Sequence, residues 1–109
     1  MNLLIVDDEA SLRVFLSIVF EDEGWRVETA GSVAEARAAV AKNEPDLILC
    51  DLMLPDGSGI DLLRDVKTAT PSVAVVMITA HTSTDVARDW LRCADLLDQC
   101  YTSIERAKA

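Results

Sequence analysis

Leu47-Ile48-Leu49-Cys50-Asp51 is the stretch on which the fold turns. Four apolar residues in a row end on a carboxylate, and Pro45 just before them stops any helix arriving from upstream. A strand that is apolar on both faces has to be covered on both, which marks a parallel sheet between two layers of helices. Two other stretches share this character: Leu3-Leu4-Ile5-Val6 near the start and Val73–Ile78 downstream.

Helical signals fill the intervals. Leu12, Phe15, Leu16, Val19 and Phe20 fall at i, i+3, i+4, i+7 and i+8, so Ser11–Glu23 reads as an amphipathic helix closed by Gly24 as its C′ residue. Trp25, Val27 and Thr29 alternate with Arg26 and Glu28, the pattern of an outer strand with one polar face. Ser32-Val33-Ala34-Glu35 is a capping box that opens a second helix running to Lys42. After a turn at Asp56-Gly57-Ser58-Gly59, Ile60–Thr70 reads as a third helix, followed by Pro71. Thr84–Ala94 reads as a fourth helix, Leu96-Leu97 as a very short fifth strand, and Ile104–Ala109 as a stub of a fifth helix. Regular alternation of strand and helix predicts an α/β fold on a parallel sheet.

A chain of 109 residues suits one domain with one core. Half of its residues are hydrophobic, yet no apolar run approaches the roughly 18–20 needed to cross a bilayer. Met1 leads into Leu3–Val6 without a basic n-region, so a signal peptide is not expected and the location is read as cytoplasmic. The net charge of -9 repels phosphate backbones and argues against nucleic-acid binding by this domain. Cys50, Cys93 and Cys100 are odd in number and lack CxxC spacing, which favours reduced thiols over disulfides or zinc.

The acids lie where this fold gathers ligands. Asp7-Asp8-Glu9 follows the first strand, Asp51 the third and Thr79 the fourth, all at carboxyl ends of strands. Any one Asp here is explained as a helix cap or turn residue. Together they form a pocket whose carboxylates cannot all ionise without a cation. Mg²⁺ suits such oxygens. With its help Asp51 becomes a candidate nucleophile toward a phosphoryl group, and Thr79 a hydroxyl donor to it.

These residues resemble the receiver domain of bacterial two-component response regulators. The matching pieces are Leu3-Leu4-Ile5-Val6-Asp7-Asp8-Glu9, Asp46-Leu47-Ile48-Leu49-Cys50-Asp51-Leu52-Met53-Leu54-Pro55-Asp56-Gly57-Ser58-Gly59, and Val75-Val76-Met77-Ile78-Thr79-Ala80-His81. The resemblance implies one receiver domain over residues 1–109, with a doubly wound, flavodoxin-like, five-stranded parallel sheet in the order 2-1-3-4-5. It implies Asp51 as phosphoacceptor, Asp8 as a direct Mg²⁺ ligand, Asp7 as an acid acting through a metal-bound water, and the Met53 backbone carbonyl as completing the metal site. Thr79 matches the switch hydroxyl and Ala80 lies beside it at the phosphate-binding edge; Pro55 and Gly59 shape the loop after Asp51. The implied partner is a histidine kinase or phosphotransfer protein. Any catalysis is limited to self-catalysed phosphotransfer and dephosphorylation.

The stretch Cys93–Tyr101 departs from the pattern. Where the family carries Lys-Pro, this chain has Gln99-Cys100, in a stretch one residue short. Gln lacks the lysine's charge, and a charge-assisted hydrogen bond is roughly twice as strong as a neutral one. Without proline a cis bond would cost about 3 kcal/mol, so a trans or irregular loop is expected at Gln99–Cys100. Lys67 and Lys108 are not obvious substitutes, and His81, the only histidine, reads as a polar loop residue without a catalytic role. Trp25 and Trp90 read as packing residues. The face of the fourth helix, fifth strand and fifth helix, through which many receivers dimerise, is expected to be altered; a partner chain or swapped segment completing it is one possibility. Two further readings stand beside a phosphoryl acceptor. One is a degenerate receiver acting as a phosphorylation-independent interaction module. The other is an aspartate-nucleophile phosphohydrolase, disfavoured because Met53 stands where such enzymes carry a second acid.

Overall fold

The computed structural model describes residues 1–78 and 90–108. The elements in chain order are β1 (Asn2–Val6), α1 (Ala10–Asp22), β2 (Arg26–Ala30), α2 (Val33–Lys42) and β3 (Leu47–Asp51). They are followed by a small hairpin of β4 (Met53–Leu54) and β5 (Gly57–Ser58), then α3 (Gly59–Ala69), β6 (Ala74–Ile78) and α4 (Trp90–Lys108). Four strands form a parallel sheet in the order β2-β1-β3-β6. The expected doubly wound α/β class is what the chain adopts.

Alternation along the strands sorts the core into two layers. Leu3, Ile5, Leu47, Leu49, Val76 and Ile78 face one side and pack with Leu12, Leu16 and Phe20 of α1 and Ile104 of α4. Leu4, Val6, Ile48 and Cys50 face the other and pack with Ala36 of α2 and Leu62, Leu63 and Val66 of α3. Leu47, Ile48, Leu49 and Cys50 are all fully buried, as a doubly covered strand requires.

The end of α1 shows how sequence sets a corner. Gly24 takes φ +89°. Its N–H donates to Glu21 O at 2.9 Å, and the Trp25 N–H reaches back to Phe20 O at 3.1 Å. These are the two bonds of a Schellman closure, and the apolar contact that accompanies it is an edge-on Phe20–Trp25 pair with centroids 5.7 Å apart. The Trp25 indole N–H then donates to the Tyr101 hydroxyl at 3.1 Å, which ties α4 to this corner. Trp25 is the packing residue expected of it; the Trp90 side chain lies outside the described set.

The C-terminal expectations need correction. Leu96-Leu97 is not a strand, Gln99–Cys100 is not a loop, and Ile104 does not begin a stub. All lie in the single 19-residue helix α4, and the peptide bonds are trans. Residues 84–89 of the expected fourth helix fall outside the described residues; 90–94 belong to α4. The physical reason is local. No Gly or Pro interrupts Trp90–Lys108, and only Thr102 and Ile104 are β-branched, so helix propensity prevails. Cys100, Ile104 and Ala107 at i, i+4 and i+7 then pack on the sheet. Among the described residues the sheet therefore ends at β6, and the expected helix–strand–helix face lacks its strand.

Cys100, fully buried in the helix, offers a direct test. Cys100→Pro removes a helical N–H and sets the ring against the carbonyl of residue 96. It is expected to cost about 3 kcal/mol or more, read as a lower urea midpoint and weaker helical circular dichroism. An unchanged midpoint would mean that the segment prefers a turn. Cys50 and Cys100 are both free, and burial pushes both thiols up to about 12, so neither carries thiolate reactivity.

Candidate functional site

The register of the central strands builds the site. Val6 is level with Cys50, and Asp51 with Ile78, so Asp7 and Asp51 leave adjacent parallel strands side by side. Asp8 follows on the exposed rim. One carboxylate oxygen from each of Asp7, Asp8 and Asp51 comes within 4.8 Å of the others. The three acids that sequence spacing singled out are thus one cluster.

Their environments differ. Asp7 is 1% exposed and Asp51 3%, the only charged groups among the described residues to be buried so fully. Asp7 Oδ1 accepts the Glu9 N–H at 2.8 Å, but buried Oδ2 has no hydrogen-bond partner. Burial, reinforced by the charges of Asp51, Asp8 and Glu9, pushes the Asp7 carboxyl up to about 6, with the Glu9 N–H opposing. Burial also raises the Asp51 carboxyl, against the Met53 N–H that donates to its Oδ1 at 3.3 Å. A buried carboxylate oxygen without a donor, on an acid clustered with two further carboxylates, suits a hard-cation cradle. Oxygen-only donors with one acid at the solvent rim suit Mg²⁺.

Close packing fixes the far wall. Gly59 N–H donates to Leu52 O at 2.9 Å. A Cβ at Gly59 would run into the Asp51 backbone carbonyl and come within 3.0 Å of Cys50 Sγ. The expectation that Gly59 shapes this loop therefore has a steric basis. Gly59→Ala is expected to displace Asp51 and cost about 1–3 kcal/mol, measured by urea unfolding.

Other expected residues are elsewhere. Thr79, Ala80 and His81 lie outside the described residues. Gln99 is exposed on α4 and lines an open groove of about 460 Å³ with Val75, Val76, Met77 and Arg106; no member of the carboxylate cluster lines it. Lys67 donates to Pro71 O at 3.0 Å at the end of α3. Two contributors escaped the sequence reading. Arg13, half-buried on α1, donates from Nη1 to the Asp7 carbonyl at 2.6 Å and so anchors the strand end that carries the acids. Asp56 accepts the Val33 and Ala34 amides at 2.8 and 3.0 Å, and these donors hold its carboxyl below the usual range.

Residues 3–95 match the family model described as response regulator receiver domain. The DNA-binding response regulator MtrA of Mycobacterium tuberculosis is 46% identical over 83 residues, covering 76% of this chain and 36% of MtrA. The probable transcriptional regulatory protein TcrX of the same organism is 39% identical over 80 residues, covering 73% of this chain and 34% of TcrX. The chain thus spans about a third of the length of these relatives. Among solved structures, a response regulator receiver domain protein from Clostridium thermocellum superposes with a TM-score of 0.68 at 32% identity, covering 77% of this chain and 68% of that one. Among the described residues no helix is long and apolar enough to cross a membrane. The chain belongs to the response regulator receiver domain family of two-component systems.

Proposed function

We propose that the chain, read over 1–109 as one receiver domain, accepts a phosphoryl group on Asp51 from the phosphohistidine of a histidine kinase or phosphotransfer protein. The observation that carries this reading is the convergence of Asp7, Asp8 and Asp51, one of whose buried oxygens, Oδ2 of Asp7, has no hydrogen-bond partner. Asp8 is read as a direct Mg²⁺ ligand, with Asp51 and the Met53 carbonyl beside it and Asp7 one water away. The chemistry that Mg²⁺ supplies when bound is charge neutralisation and orientation of phosphoryl oxygens.

The chain's own groups do the rest. The Met53 N–H holds Oδ1 of Asp51, which orients the carboxylate. The other oxygen attacks phosphorus; an acyl-phosphate bond forms as the phosphorus–nitrogen bond breaks, and its electron pair returns to the donor imidazole. Thr79 is read as the switch hydroxyl that donates a hydrogen bond to a phosphoryl oxygen once the group is on Asp51, and Ala80 as its neighbour at the phosphate edge. The acidic surface supports a protein partner rather than nucleic acid, and the reading places the chain in the cytoplasm. A homodimer, expected through the face of the fourth helix, fifth strand and fifth helix, is proposed on what the described residues keep of that face, α4.

One observation favours the second reading, a phosphorylation-independent interaction module. Gln99 sits in a helix, in the β6 groove, and brings no cation to the carboxylates. Incubation with Mg²⁺ and a small acyl phosphate, followed by intact mass, separates the two. A single phosphoryl adduct supports the first reading; its persistent absence supports the second.

A further inference from the structure

Three of the four amides at the start of α2 are satisfied in two ways. Ser32 Oγ accepts the Glu35 N–H at 3.1 Å, a local cap. The Val33 and Ala34 amides go instead to Oδ1 and Oδ2 of Asp56, more than twenty residues away in sequence. Asp56 occupies the two-residue loop Pro55-Asp56 of the β4–β5 hairpin, in which Met53 pairs with Ser58 and Leu54 with Gly57. Leu54 is buried on the same side of the sheet as Ala36 of α2, with Val33 packed against that cluster. The hairpin is therefore docked on α2 by an apolar contact below and a two-pronged polar clamp at its tip. Its first residue, Met53, is the one whose N–H holds the Asp51 carboxylate.

We propose that Asp56 is a positioning residue for the acidic site: by gripping two amides of α2 it fixes the β4–β5 hairpin, and with it the Met53 backbone beside Asp51. The inference rests on the reading of Met53 as a wall of the metal site, and it adds a regulator of that site remote from the carboxylates. A carboxylate is needed because the two amides point at two separate oxygens. A hydroxyl such as that of Ser32 offers one.

The structure supplies its own control. Ser32→Ala and Asp56→Ala each remove a cap from the same end of α2, but only Asp56→Ala releases the hairpin. Asp56→Ala is expected to weaken Mg²⁺ binding roughly three- to tenfold by titration calorimetry, at or below the lower end of what supporting contacts are worth. In the metal-free protein it is expected to speed amide exchange at Met53 by at least about threefold, a local-opening effect. Ser32→Ala is expected to leave both within about twofold while lowering thermal stability. Asp56→Asn, which keeps one acceptor oxygen, is expected to fall between wild type and Asp56→Ala. Equal losses in Ser32→Ala and Asp56→Ala, or unchanged Met53 exchange in Asp56→Ala, would overturn the positioning role alone. Failure of the wild type to bind Mg²⁺ would remove the metal-site reading, and the proposal with it.

Discussion

Asp51→Asn is expected to abolish phosphoryl uptake completely while leaving the fold in place. The substitution is close to isosteric, and Oδ1 remains as the acceptor for the Met53 N–H. What disappears is the anionic oxygen that attacks phosphorus. The other carboxylates cannot substitute: Asp7 has one oxygen held by the Glu9 N–H and is pushed toward neutrality, and Asp8 sits on the exposed rim. With excess acyl phosphate and Mg²⁺, intact mass should show one phosphoryl group on the wild type and none on Asp51→Asn. The wild type is also expected to load slowly, because Gln99 lies along β6 rather than at the acids. A neutral donor there would in any case give roughly half the strength of a charge-assisted bond. If the two proteins are indistinguishable, both lacking the adduct, phosphoryl acceptance fails and the interaction-module reading stands.

How much of this was legible before the structure follows from where each signal lies. The strands β1, β3 and β6 carry unbroken apolar runs, which are local signals, and the register that aligns Val6 with Cys50 follows from parallel pairing. Hence Asp7, Asp8 and Asp51 were legible as one pocket. Gly24 and Ser32 were equally legible, since caps are written within a few residues of the helix they end. The C-terminal segment failed for a different reason. The apolar pair Leu96-Leu97 reads as a short strand in an alternating pattern, although Trp90–Lys108 contains no Gly or Pro and Cys100, Ile104 and Ala107 recur at helical spacing. Local propensity was the better guide there. Arg13 and Asp56 were not legible. Arg13 acts on a carbonyl just across the β1–α1 connection and Asp56 on amides brought near by tertiary structure, and a backbone carbonyl or amide leaves no trace in sequence.

Asp7→Asn carries the sharpest prediction about stability, because its sign is opposite to that of most buried substitutions. The Asp7 carboxyl is raised to about 6 by burial first and neighbouring acids second. In the unfolded chain it titrates near 3.9. A raised carboxyl stabilises the fold fully below the unfolded value, and that contribution is lost as pH climbs from about 4 through about 6. At pH 7 the metal-free protein therefore holds a charge that burial disfavours. Asn removes that charge, keeps Oδ1 for the Glu9 N–H, and places an NH₂ donor where Oδ2 has no partner. Metal-free Asp7→Asn is expected to be more stable than wild type by about 1–2 kcal/mol at pH 7, below the shift's full value to allow for solvent screening. The difference should vanish near pH 4, where both side chains are neutral. Mg²⁺ should reverse the order, since the cation stabilises what it binds and Asp7→Asn weakens that binding. Urea midpoints at pH 4 and pH 7, each with chelator and with saturating Mg²⁺, measure all four corners. A metal-free Asp7→Asn that is less stable than wild type at pH 7 would show that Asp7 is satisfied without a cation, and the acidic cradle would lose its physical motive.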